Sequence, residues 1–125
     1  MRYLTVEEVL EINARVMKGE HTLRDRSLLE SAVARPRASA FGSDAYPHPI
    51  AKAAALLHSL VLNHPFLDGN KRTAVLATSV FLDLNGHKIC WERDEALHFI
   101  LSLAQHQVTL KEVIRFLQEH TSSHT

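Results

Sequence analysis

An excess of charge of either sign is absent from this chain. Lysine plus arginine number 14 and aspartate plus glutamate 14, so the formal charge is zero with histidine neutral. A general nucleic-acid binder, which neutralises phosphates through a basic excess, is therefore excluded. So is a disordered regulator, whose signature is low hydrophobicity with high net charge. Cysteine is nearly absent: Cys90 stands alone and forms no intrachain disulfide. Long apolar runs are missing too, the longest being Ala53 to Leu57, far short of a bilayer span. The first residues carry Glu7 and Glu8 where a signal peptide needs an apolar stretch. Together these absences predict a cytoplasmic protein. What remains is 125 residues, 46% of them hydrophobic. That is enough for one globular domain that buries roughly two-thirds of its unfolded surface without staples.

The apolar pattern is helical almost throughout and predicts an all-α fold of about six helices. Thr5 with Glu8 is a capping box, followed by an apolar face of Val6, Val9, Leu10, Ile12 and Val16, with Gly19 as a stop. A second helix runs from Asp25 or Ser27 to Ala34 and ends at Arg35-Pro36. Residues 37–49 have no helical period. Phe41 and Tyr46 flank a Gly-Ser-Asp turn signal there, which predicts a short β-hairpin or flap. Ile50 to Asn63 is apolar all round, apart from Lys52, as a buried central helix should be. A second buried helix follows from Asn70 or Lys71 to about Leu84, stopped by Asn85-Gly86. His87 to Trp91 reads as a short strand, with Cys90 and Trp91 as packing residues. Asp94 to about His106 and Thr109 to about Glu119 are the last helices, the latter with a Thr109/Glu112 capping box. The polar tail from Thr121 to Thr125 is expected to fray.

The chemistry concentrates between the two buried helices, in His64-Pro65-Phe66-Leu67-Asp68-Gly69-Asn70-Lys71-Arg72-Thr73. Gly69 lets the backbone turn and approach a ligand closely. The amides after it open a helix and lack partners within it, which makes an anion site. Lys71 and Arg72 lie in that first turn, where the helix dipole disfavours cations. An anionic ligand, phosphate above all, would offset the repulsion. Asp68 is a carboxylate beside the nest, suited to Mg²⁺ that keeps several waters. His64 is a candidate general base. Arg72 can grip phosphate with two bonds, whereas Lys71 acts as a point charge. Asn70 can donate or cap. Pro65 ends the helix, and Phe66 should plug into the core.

These residues resemble the signature loop of the Fic/Doc superfamily, most closely its Doc (death-on-curing) branch. Leu29-Glu30-Ser31-Ala32-Val33-Ala34-Arg35-Pro36 is similar to the segment before the family's flap. Phe81-Leu82-Asp83-Leu84-Asn85-Gly86 is similar to the helix after its loop. The resemblance spans roughly Tyr3 to Glu119. It implies that His64 deprotonates a target hydroxyl, that Asp68 holds Mg²⁺, and that Gly69, Asn70 and Arg72 hold nucleotide phosphate. Fic AMP-transferases have glycine at the position of Lys71 and a further arginine at that of Val75, whereas Doc proteins have the lysine. Gly69 itself is alanine in some Doc loops. The resemblance to Doc implies a kinase that moves the γ-phosphate of ATP to a hydroxyl of elongation factor Tu and arrests translation. The alternative is protein AMP transfer. A silent module that holds a partner helix and a metal-dependent phosphohydrolase are further readings. The intact loop argues against the module, and the lack of a second carboxylate cluster against the hydrolase. No glutamate in the chain is followed by glycine or asparagine, so the family's built-in inhibitory motif is missing. That implies a separate antitoxin whose C-terminal segment folds into a groove near the loop.

Overall fold

A computed structural model describes residues 1–123. Among them are six α-helices and two small antiparallel ladders, in agreement with the mainly helical reading. Helix α1 (Val6–Met17) starts at the expected capping box. Thr5 Oγ1 accepts from Glu8 N at 3.1 Å, and Glu8 Oε1 accepts from Thr5 N at 2.8 Å. Such a cap stabilises a helix by about 1 kcal/mol. Its C-terminus differs from expectation. Lys18, not Gly19, takes the left-handed conformation, with φ 58°. Its amide and that of Gly19 both reach Ala14 O and so satisfy the last carbonyls.

Helix α2 (Arg26–Ala34) is capped by Asp25 and passes into a 3-10 turn at Arg35–Arg37. The hairpin follows as β1 (Ser39–Ala40) and β2 (Ser43–Asp44). Its turn is Phe41-Gly42, both residues at positive φ. Ser43 and Asp44, expected in the turn, lie in the strand, because a two-residue loop with both φ positive matches the twist of a hairpin.

Helix α3 (Pro49–Asn63) begins one residue earlier than the sequence implies, with His48 as cap and Pro49 in the first turn, where its missing N–H costs nothing. It is the central element, packed against α2, α6 (Leu110–Glu119) and above all α4 (Asn70–Leu84). Ala53, Ala54, Ala74 and Ala77 are fully buried, and such small residues let helix axes come close. Leu57, Leu60, Phe81, Ile100, Leu103 and Leu117 fill the remaining core. Helix α4 is less covered than expected. Its inner face is buried, but Leu76 is 40% and Leu84 42% exposed.

Lys52 reverses the usual rule for lysine. It is 1% exposed inside α3. Its Nζ donates to Pro36 O at 2.9 Å and lies 3.3 Å from the Asp44 carboxylate. A buried ammonium needs such partners, and these two tie the base of the hairpin to the core.

Helix α5 (Arg93–Ala104) is capped by Glu92 and ends two residues short of His106, which is left-handed at φ 59°. The C-terminal segment corrects the expected fraying. Thr121–Ser123 forms β4 and pairs with β3 (His87–Ile89), so backbone groups that water would otherwise solvate enter a ladder. His124 and Thr125 lie outside the described residues. Cys90 also departs from expectation. It is exposed rather than packed, while Trp91 is half-buried against the core.

Candidate active site

Residues 64–69 join α3 to α4 and are held from both sides. His64 closes α3 in the left-handed conformation, φ 54° and ψ 53°, which costs a non-glycine residue about 1–2 kcal/mol. Arg24 offsets that cost. Its Nε donates to His64 O at 2.9 Å and its second guanidinium nitrogen to Asn63 O at 3.2 Å. A cation is favoured at this negative end of a helix. Pro65 O accepts from the amides of Arg24 and Asp25, and Leu67 N donates to Thr22 O at 2.7 Å. Phe66 is 1% exposed and plugs the core as expected, a burial worth roughly 1.5–3 kcal/mol.

Asn70 braces the loop from inside. Its Oδ1 accepts from Phe66 N at 2.9 Å and its Nδ2 donates to Phe66 O at 2.7 Å. That pair fixes which end of the amide is nitrogen. The same Nδ2 lies 3.1 Å from His64 Nδ1, so the ring accepts there, and in the neutral ring Nε2 carries the proton. His64 is otherwise exposed.

The turn at Asp68-Gly69 brings the remaining groups together. Gly69 sits at φ 78°. A Cβ there would meet Met17 Sδ at 2.8 Å, with Asn13 Nδ2 and Val16 Cγ1 at 3.3 Å. The nest of amides is not entirely open, since Gly69 N donates to the carboxylate of Asp68 at 2.7 Å. The first helical bond is Thr73 N to Gly69 O, 2.8 Å. The amides of Asn70, Lys71 and Arg72 precede it and have no intrahelical acceptor. Neither Lys71 nor Arg72 pairs with a carboxylate among the described residues. Two uncompensated cations at the positive end of a helix leave room for an anion. All six residues singled out in the sequence, His64, Asp68, Gly69, Asn70, Lys71 and Arg72, thus lie on one loop and the helix turn that follows it.

Asp68 is exposed and one of its oxygens is engaged by Gly69. Among the described residues no three histidine, cysteine or acidic side chains gather closely enough to hold a metal. A single free carboxylate oxygen suits Mg²⁺, which is commonly bound by one carboxylate, waters and substrate phosphate. The residues fit that ion.

The chain matches the Fic/DOC family over residues 3–82. It belongs to the Fic/Doc family. It is also 49% identical, over 92 residues, to Toxin Doc of Mycolicibacterium smegmatis (strain ATCC 700084 / mc(2)155), an alignment covering 74% of this chain and 71% of the relative.

Two supports of this Fic/Doc loop escape a linear reading. Asn13 is fully buried within α1, and Thr22 precedes α2. Both hydrogen-bond to Asp68 O. One signal was available: Asn13 falls at the inward spacing set by Val9 and Val16, where an apolar residue is expected.

Proposed function

We propose that this chain is the toxin of a toxin–antitoxin pair and transfers the γ-phosphate of ATP to a serine or threonine of a translation factor, elongation factor Tu by family resemblance. The observation that carries the kinase reading is Lys71. It stands beside the amides where the family's AMP-transferases have glycine, and Val75 stands where they have a further arginine. Glycine at position 71 would leave a wide hole for two linked phosphates, whereas lysine fills part of it and favours one terminal phosphate. Membership of the Fic/Doc family and the likeness to Toxin Doc support the toxin reading.

In this reading the amides of residues 70–72 and the side chains of Lys71 and Arg72 bind the transferring phosphate and stabilise its charge. Asp68 would hold Mg²⁺, which when bound neutralises charge on the nucleotide phosphates. The acceptor oxygen bonds to the γ-phosphorus, the bond to the β–γ bridging oxygen breaks, and ADP leaves. His64 takes the acceptor's proton. To do so at Nε2 its ring must first move its own proton to Nδ1, which breaks the contact with Asn70 at a cost near 1 kcal/mol. An exposed ring is free to make that change.

The antitoxin site we propose is the groove between α4 and α5. It encloses about 480 Å³. Lys71, Arg72 and Arg93 line it together with Leu76, Leu97 and Trp91, so it fits an amphipathic segment bearing carboxylates. No described helix is long and apolar enough to cross a membrane. The proposed reaction needs ATP and the translation machinery, which belong to the cytoplasm.

Expression of the chain in bacteria, followed by incorporation of labelled methionine, tests this reading. The wild type should arrest translation and His64→Ala should not, since losing a general base costs about 10²–10⁴-fold. Equal toxicity of the two would remove His64 from the mechanism.

A further inference from the structure

We infer that Asn13 and Thr22 are positioning residues that set the outward orientation of the anion-binding amides. This rests on the reading of the amides of residues 70–72 as that site, with Gly69 as the turn that opens it. Asn13 Nδ2 donates to Asp68 O at 3.2 Å and to Thr73 Oγ1 at 3.0 Å. Its Oδ1 accepts from Thr22 N at 2.8 Å. The Thr22 hydroxyl lies 2.9 Å from Asp68 O and 3.2 Å from Asn13 Oδ1.

Planarity of the peptide turns these contacts into control of the site. A trans peptide holds its C=O and N–H antiparallel. Two donors draw Asp68 O toward Asn13 and Thr22, so Gly69 N–H faces the other way, toward the Asp68 carboxylate. Thr73, at the far side of the nest, is held by the same Asn13 amide. One buried side chain therefore fixes both ends of the segment that presents Asn70, Lys71 and Arg72. The space that Gly69 leaves against Met17 and Asn13 allows α1 to lie close enough to do this. Sequence-distant α1, with no residue in the loop itself, becomes part of the site.

Asn13→Ala would remove all of the Asn13 bonds at once and can fail to fold, so the decisive pair is Thr22→Val and Thr22→Ser. Thr22 is half-buried. Valine keeps its shape without the hydroxyl, and serine keeps the hydroxyl. Binding of Mg·ATP by calorimetry and the amide resonances of residues 69–72 are the readouts. The expected result is roughly five- to tenfold weaker binding for Thr22→Val, with shifted loop amides, an unchanged remaining spectrum, and near wild-type binding for Thr22→Ser. Wild-type affinity in Thr22→Val overturns the inference, as does equal weakening in both variants. If the wild type binds no Mg·ATP, the nucleotide reading falls instead. The loop amides of Thr22→Val then decide: shifted, they support the positioning role, and unshifted, they overturn it.

Discussion

Asn70 determines which nitrogen of His64 holds a proton, because Phe66 uses both ends of the Asn70 amide and leaves a donor facing Nδ1. Loop shape and proton placement are thereby linked through one side chain. Lys71 bears the discrimination between the two possible transfers. Lys71→Gly should lose phosphate transfer by about 10²–10³-fold, the usual cost of one electrostatic contact in a transition state. Initial rates on the same target would measure it, and a rate within twofold of wild type would contradict that role. His58 offers a pH test away from the loop. Its Nδ1 accepts from the Arg35 guanidinium at 2.8 Å, and Arg35 also reaches Ser59 and Tyr46. Burial, then Arg35, then His106 hold the His58 pKa below its ordinary value. The fold therefore favours neutral His58. Its contribution to stability is present above the unfolded value of about 6.5 and is lost as pH falls through the lower folded value. Thermal midpoints should drop as pH falls below about 6.5. His58→Asn, which offers Arg35 an amide oxygen, should flatten that drop. An identical pH slope in the variant would contradict it.

At the scale of elements, what was legible in the sequence was local. Thr5/Glu8 and Thr109/Glu112 announce α1 and α6 because a capping box lies within four residues. The run from His64 to Arg72 carries its own chemistry, and Phe66 its own anchor. The misses are non-local. Thr121–Ser123 looks like a frayed tail until β3 supplies partners far upstream in the chain, His87 for Ser123, Lys88 for Ser122 and Ile89 for Thr121. Lys52 stands as a lone charge in an apolar helix until Pro36 O and Asp44 meet it. Asn13 looks like an interruption of an apolar stripe until Asp68 and Thr73, 55 and 60 residues away, are packed beside it. One detail of α4 gives a stability test. Thr78 Oγ1 is buried without a hydrogen-bond partner among the described residues. Thr78→Val removes the hydroxyl and keeps the shape, so it should stabilise the protein by about 1 kcal/mol in denaturant unfolding. A destabilisation of similar size would show that the hydroxyl is satisfied.

Over the whole molecule, α3 and α4 form a rigid pair that carries the loop, while α1 braces it from behind and the groove beside α5 opens next to it. Reaction and control therefore share Lys71 and Arg72 in the proposed function: the cations that would hold phosphate also line the groove proposed for the antitoxin. The group transferred decides between kinase and AMP-transferase. Its most direct test is a bacterial translation extract incubated with the purified chain and ATP labelled at either the γ- or the α-phosphate, with the labelled protein identified by mass spectrometry. Label should arrive from the γ position alone, with one added phosphate on a serine or threonine of a translation factor. Label from the α position, with AMP on the target, would contradict it.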